Sequence, residues 1–113
     1  MESSLIGETL ARKASDTTNY YAAWLRRGGD EATYAVDVID LLMAGFELAI
    51  ETKDSNQPDS AATTLGTIAL STKTVIKLTL SGAKELVRHV IRPTGSTATW
   101  MHFQILSPQW TTN

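Results

Sequence analysis

The chain has 113 residues, 42% of them hydrophobic and 19% charged, with a formal net charge of −2; this fits one domain around one modest core and excludes a large multi-step enzyme. Ten Lys and Arg against twelve Asp and Glu, with no run of like charge, leave no field to gather phosphate backbones, so specific nucleic-acid binding is not expected. With no cysteine, neither disulfides nor thiolate metal sites can hold the fold. The opening Met-Glu-Ser-Ser-Leu-Ile-Gly-Glu has an acid second and no continuous apolar run, and no apolar stretch is long enough to span a bilayer. The expectation is a protein made in the cytoplasm, with no membrane partner.

Sixteen threonines, many beside Val, Ile, Leu and aromatics, suit pleated and half-buried surfaces, and the chain reads as mainly β. Residues 1–18 are polar apart from Leu5, Ile6 and Leu10 and read as an extended arm or short edge strand ahead of a single domain over 19–113. Tyr20 to Leu25 is a predicted strand, ended at Gly28-Gly29, whose glycines suit a tight reversal into a second strand from Thr33 to Asp40; together they read as a hairpin. In that second strand Tyr34, Val36 and Val38 share one face, with Ala35, Asp37 and Ile39 on the other.

Phe46 to Lys53 has the clearest period of two, with Phe46, Leu48 and Ile50 opposed to Glu47, Ala49 and Glu51. Residues 54–64 have no apolar period and contain Pro58, which predicts a long loop. A weak strand over Leu65–Ser71 precedes a stronger one, Thr74–Leu80, in which Ile76, Leu78 and Leu80 share a face. Glu85–Arg92 fits a helical face as well as a strand; its length, its Val and Ile content and its flanking turn residues favour a strand. Thr97 to Leu106 is the last predicted strand, with Met101, Phe103 and Ile105 facing away from Trp100, His102 and Gln104; beyond it Trp110 is placed to staple the terminus to the body. Seven or eight short strands with regular turns predict an all-β fold, an antiparallel two-sheet sandwich of jelly-roll type, its core holding Phe46, Leu48, Ile50, Ile76, Leu78, Leu80, Phe103 and Ile105.

Candidate sites are sparse. His89 and His102 would lie on neighbouring strands if the last two strands formed a hairpin about Gly95, but two imidazoles without a nearby carboxylate fall short of a zinc site, and no nucleophile motif accompanies them. They read as residues of half-exposed polar faces. Asp54, Asn56 and Asp59 offer oxygens to a hard cation, yet the loop lacks the glycine and the closing glutamate of a calcium loop, and such residues are the commonest turn formers. Glu47 and Glu51, with Asp37 and Glu31 thought to be near, are conceivable as paired glycosidase carboxylates, but acids on an outer sheet face ordinarily keep it soluble. No cofactor is expected. Trp24, Trp100 and Trp110, with Tyr20, Tyr21 and Tyr34, are the best reporters of function: exposed rings stack on sugars, buried ones fill the core.

These features point to a non-enzymatic protein that works by assembly, as a homo-oligomer or on a lattice of other proteins, with Leu5, Ile6, Leu10 and Trp110 as its contact residues. In its threonine-rich strands, polar arm and aromatic tail the chain is similar to small jelly-roll proteins of bacteriophage particles, a likeness of architecture carried by no motif. It implies a capsid coat or decoration protein or a tail subunit, partnered with its own copies or other virion proteins and located in the virion. The alternatives are a carbohydrate-binding β-sandwich module using exposed tryptophans and, lower, a cupin-type enzyme, which needs a His and carboxylate cluster that the sequence does not show.

Overall fold

The computed structural model describes residues 10–13, 19–41, 45–94 and 100–111. They form two antiparallel sheets from nine strands: β1 (Leu10–Lys13), β2 (Tyr20–Tyr21), β3 (Leu25–Arg26), β4 (Glu31–Leu41), β5 (Phe46–Lys53), β6 (Thr63–Leu70), β7 (Val75–Ser81), β8 (Leu86–Pro93) and β9 (Trp100–Thr111). One sheet has the order β1-β9-β4-β7; the other runs β2-β8-β5-β6, with β3 also on β8. The segment 85–92 is thus a strand. The inner faces close on one core, in which Tyr34, Val36, Val38, Met101, Phe103 and Ile105 of the first sheet meet Phe46, Leu48, Ile50, Leu70, Val87 and Ile91 of the second. Ile76, Leu78 and Leu80 are half-buried against it, so all eight expected core residues face inward.

The expected hairpin of 20–25 with 33–40 does not form. β2 and β3 pair with β8, whereas β4 pairs with β7 and β9 in the opposite sheet, so the chain crosses between sheets at Arg27–Asp30. Gly28 and Gly29 do not supply a positive φ; among the described glycines only Gly82 has one, at 86°. Gly28 instead lets the Trp110 ring pass, since a Cβ there would lie 2.8 Å from Trp110 Cδ1. The last two long strands likewise form no hairpin, because β8 and β9 belong to different sheets.

Two further boundaries differ from the sequence reading, and of its two alternatives for residues 1–18 the short edge strand holds at Leu10–Lys13. Leu10–Lys13, placed within the arm of residues 1–18, is an edge strand with Leu10 opposite Phe103 and Lys13 opposite Trp100; the rest of that arm lies outside the described residues. The predicted loop over 54–64 ends early: it holds a 3₁₀ turn at Asp59–Ala61 and gives way to β6 at Thr63. β9 runs on to Thr111 despite Pro108, because Ser107 and Pro108 together oppose the single Tyr34 and the bulge requires no ladder N–H there.

A second bulge positions the candidate site. Tyr21 stands opposite Val90 and Leu25 opposite Val87, so four steps along the edge strand match three along β8. Without the extra residue Leu25 would share Tyr21's face; with it, Leu25 packs on the core and Trp24 joins Tyr21 outside.

Candidate functional site

The two outer faces are chemically unlike. On the five-stranded sheet, β5 presents Glu47, Ala49, Glu51 and Lys53, and β8 presents Arg88, Val90 and Arg92. Antiparallel register sets Glu47 opposite Arg92 and Glu51 opposite Arg88. The Arg88 guanidinium donates to Glu51 Oε1 from Nε at 2.9 Å and lies 2.7 Å away through Nη2; Arg92 reaches Glu51 Oε2 at 3.2 Å, Glu47 Oε2 at 3.4 Å and Thr64 Oγ1 at 3.1 Å. Beneath this network Ala49 and Val90, opposite each other and outside the core, are fully buried.

Aromatic rings extend the layer. The Arg88 guanidinium carbon lies 4.4 Å from the ring centroids of both Tyr21 and Trp24, and Lys53 Nζ lies 4.9 Å from that of Trp24. Asp59 closes the group: its Oδ1 accepts from Lys53 Nζ at 2.9 Å and from Trp24 Nε1 at 3.1 Å, while Arg88 Nη1 stands 3.6 Å from Oδ2. The hydrogen bond from Lys53 foremost, with the nearby positive charges and the Trp24 bond, lowers the Asp59 carboxyl below its ordinary range against a smaller opposing effect of desolvation. Ser55 donates backbone and hydroxyl bonds to Glu85, which lowers that carboxyl too and pins the other end of the 54–62 connection. Three cations and three carboxylates therefore balance, and the face compensates itself.

On the four-stranded sheet the outer face is open. Thr33, Ala35, Val75, Lys77, Leu106, Ser107 and Gln109 line a groove of about 320 Å³. Val75 is 42% exposed, and Ile39, two residues beyond Val75's partner Asp37 on β4, is 41% exposed. Lys73 meets Asp40 at 3.7 Å at this edge.

The structure separates several residues that the sequence reading grouped. His89 is not on a half-exposed polar face but fully buried on the inner side of β8, edge-on to Tyr34 with centroids 5.7 Å apart; His102 is half-buried on β9, in the other sheet. Glu47 and Glu51 do share a face, but Glu31 and Asp37 lie on β4 in the opposite sheet, and an arginine ties each of the paired glutamates. Asp59 faces cationic groups, Lys53 and Arg88. Among the described residues no three His, Asp or Glu come together as metal ligands.

Trp24 is half-buried with its ring beside two cations, and Trp110 is half-buried, edge-on to Tyr34 at 6.0 Å and packed against the core. The Trp100 side chain, Leu5 and Ile6 lie outside the described residues; Leu10 is described only through its backbone pairing with Phe103. Sequence reasoning missed Lys53, Arg88 and Arg92. Their signal was available as acids at 47 and 51 facing arginines at 88 and 92, the same spacing in the reversed order that antiparallel pairing requires. No helix among the described residues is long and apolar enough to cross a membrane. Comparison with protein-family models, curated proteins and solved structures finds no match.

Proposed function

We propose that the chain is a non-enzymatic assembly protein that contacts further copies of itself through the outer face and edge of its four-stranded sheet. The observation that carries this reading is the contrast between the two outer faces. One is sealed by its own ion pairs over Ala49 and Val90; the other keeps an open groove flanked by Val75 and Ile39, and exposed apolar groups gathered in this way mark interaction surfaces. The charges on that sheet suit a second copy: β4 carries Glu31 and Asp37, while β7 carries Lys77. β1 lies at the edge of the same sheet, so Leu5, Ile6 and Leu10 of the arm are included in the proposed contact region, whereas Trp110, packed against the core within β9, is not.

The finer fold assignment is a jelly roll. Counting β2 and β3 as one interrupted strand leaves eight strands in two sheets of four, and from β3 onward every connection except β5 to β6 changes sheet, as in the two nested Greek keys of that fold. Jelly rolls occur in viral capsids and in lectins. A virion position, as coat, decoration or tail subunit, is our reading of where such an assembly belongs, and it rests on architecture alone. A carbohydrate-binding role ranks second, favoured by Tyr21, which is 50% exposed, and weakened by the cations beside the Trp24 ring.

Light scattering on a gel-filtration column tests the proposal. The expected result is a multimer, with Val75→Glu giving folded protein of lower mass. A monomer at every concentration, or a multimer indifferent to Val75→Glu and Leu106→Glu, would overturn it.

A further inference from the structure

Independently of the assembly reading, one feature of the core stands without a structural use. His89 is completely buried between the sheets, both of its ring nitrogens are shielded from solvent, and no protein group hydrogen-bonds either of them. The Tyr34 hydroxyl, on the ring that His89 meets edge-on, is equally buried and equally unpartnered. Buried donors and acceptors are ordinarily paired, since leaving one unmade costs about 1–3 kcal/mol. A leucine or phenylalanine would fill the place without that cost, so the position holds a polar pair at the expense of stability.

The surroundings of His89 decide what the ring can do. From β4 it faces Tyr34, and Trp110 of β9 packs on the other side of that phenol. Across β5 its register partner is Ile50, and from the β2–β3 edge the nearest link is a backbone bond, Ala22 N–H to the His89 carbonyl. Glu47, Glu51, Arg88 and Arg92 are on the outer side of this sheet, and the Lys53 ammonium turns outward to Asp59 and the Gln57 carbonyl. His102 lies on the outer side of β9. Among the described residues the buried polar ones are Thr52, Lys53 and His89 together with the Tyr34 hydroxyl, and no carboxylate is among them. Among the described residues an imidazolium at this place would find no counter-charge and no acceptor aimed at it.

We propose that the His89–Tyr34 pair is an acid-triggered release built into the sandwich: protonation of His89 is incompatible with the closed core, so mild acid opens the contact between the two sheets. Burial pulls the folded-state imidazole down from 6.5 to about 4. The unfolded or opened chain regains the ordinary value and binds the proton first. The unfolded state therefore holds more protons between those two values, so stability is complete above about pH 6.5 and falls as the pH drops towards 4. A difference of that size corresponds to an unfolding constant raised about 300-fold in the limit below both values, about half of that factor being reached at pH 4. Tyr34, raised to about 12 by burial, stays neutral throughout and contributes no slope there.

Two measurements on the intact chain test this. Urea unfolding between about pH 7.5 and pH 4.5 is expected to show a steep loss of stability that His89→Phe largely abolishes and His102→Gln leaves intact; the paired carboxylates contribute equally to all three proteins. If His89→Phe fails to fold, the histidine ring-proton titration of folded wild type and His102→Gln decides. His89 is expected to remain neutral until unfolding begins. A normal titration of His89 in the folded state, or an equal slope with His89→Phe, would overturn the proposal.

Discussion

Gly28 and Gly66 show how much a single missing side chain governs in this fold. A Cβ at Gly28 would lie 2.8 and 2.9 Å from Cδ1 and Cγ of the Trp110 ring, which is rigid and held edge-on against Tyr34. A Cβ at Gly66 would lie 2.7 Å from Leu80 Cδ2, the end of a half-buried side chain that can change rotamer. Gly28→Ala is therefore expected to cost about 1–3 kcal/mol, and Gly66→Ala less than about 1 kcal/mol. Urea denaturation followed by tryptophan fluorescence checks the order; equal costs would mean that the Trp110 ring is free to move aside. At this scale the sequence was deceptive. A Gly-Gly pair after a strand reads as a reversal, and nothing near Gly28 announces a contact with a ring 82 positions later.

Strand by strand, the sequence was more informative about faces than about partners. Phe46–Lys53 and Thr33–Asp40 were legible because a buried face enforces alternation, and the observed faces agree at Phe46, Leu48, Ile50, Tyr34, Val36 and Val38. Pairing was not legible, since most strands consecutive in sequence, β2–β3 and β5–β6 excepted, went to opposite sheets and local pattern carries no sheet identity. His89 was misplaced for the opposite reason: alternation set it on the face of Val87 and Ile91, yet its polarity argued it outward. The β5–β8 network gives an element-scale expectation. With 11% and 14% of their side chains exposed, Arg88 and Glu51 are mostly desolvated, so Arg88→Met or Glu51→Gln alone should cost up to about 3 kcal/mol, because each takes away its partner's closest counter-charge and leaves only the longer contacts to Arg92 or Asp59. The double variant should be less destabilised than the sum of the two by at least about 1 kcal/mol. Additive effects in the cycle would show the pair to be a solvated decoration, not a sealed layer.

Taken as one molecule, the sandwich carries β1 at one edge of the four-stranded sheet, the sheet whose outer face holds the groove. β1 pairs with β9 from Leu10 opposite Phe103 to Lys13 opposite Trp100. Sheet edges are templates for strand addition, and the polar arm expected ahead of β1 is the segment whose contribution to assembly can be tested by truncation. Two truncations separate the roles of arm and strand. Removing residues 1–9 takes away Leu5 and Ile6 and keeps β1; the expected outcome is weaker assembly with an unchanged melting temperature. Removing residues 1–13 also deletes β1 and bares β9 from Trp100 to Phe103, so assembly should weaken and the melting temperature fall together. A synthetic peptide spanning residues 5–15, added to the shorter protein, should restore part of the lost melting temperature by rebuilding the ladder in trans. Unchanged assembly in both truncations would remove the arm from the contact surface and leave the face around Val75 to carry it, whereas unfolding of the first would make residues 1–9 part of the sandwich itself.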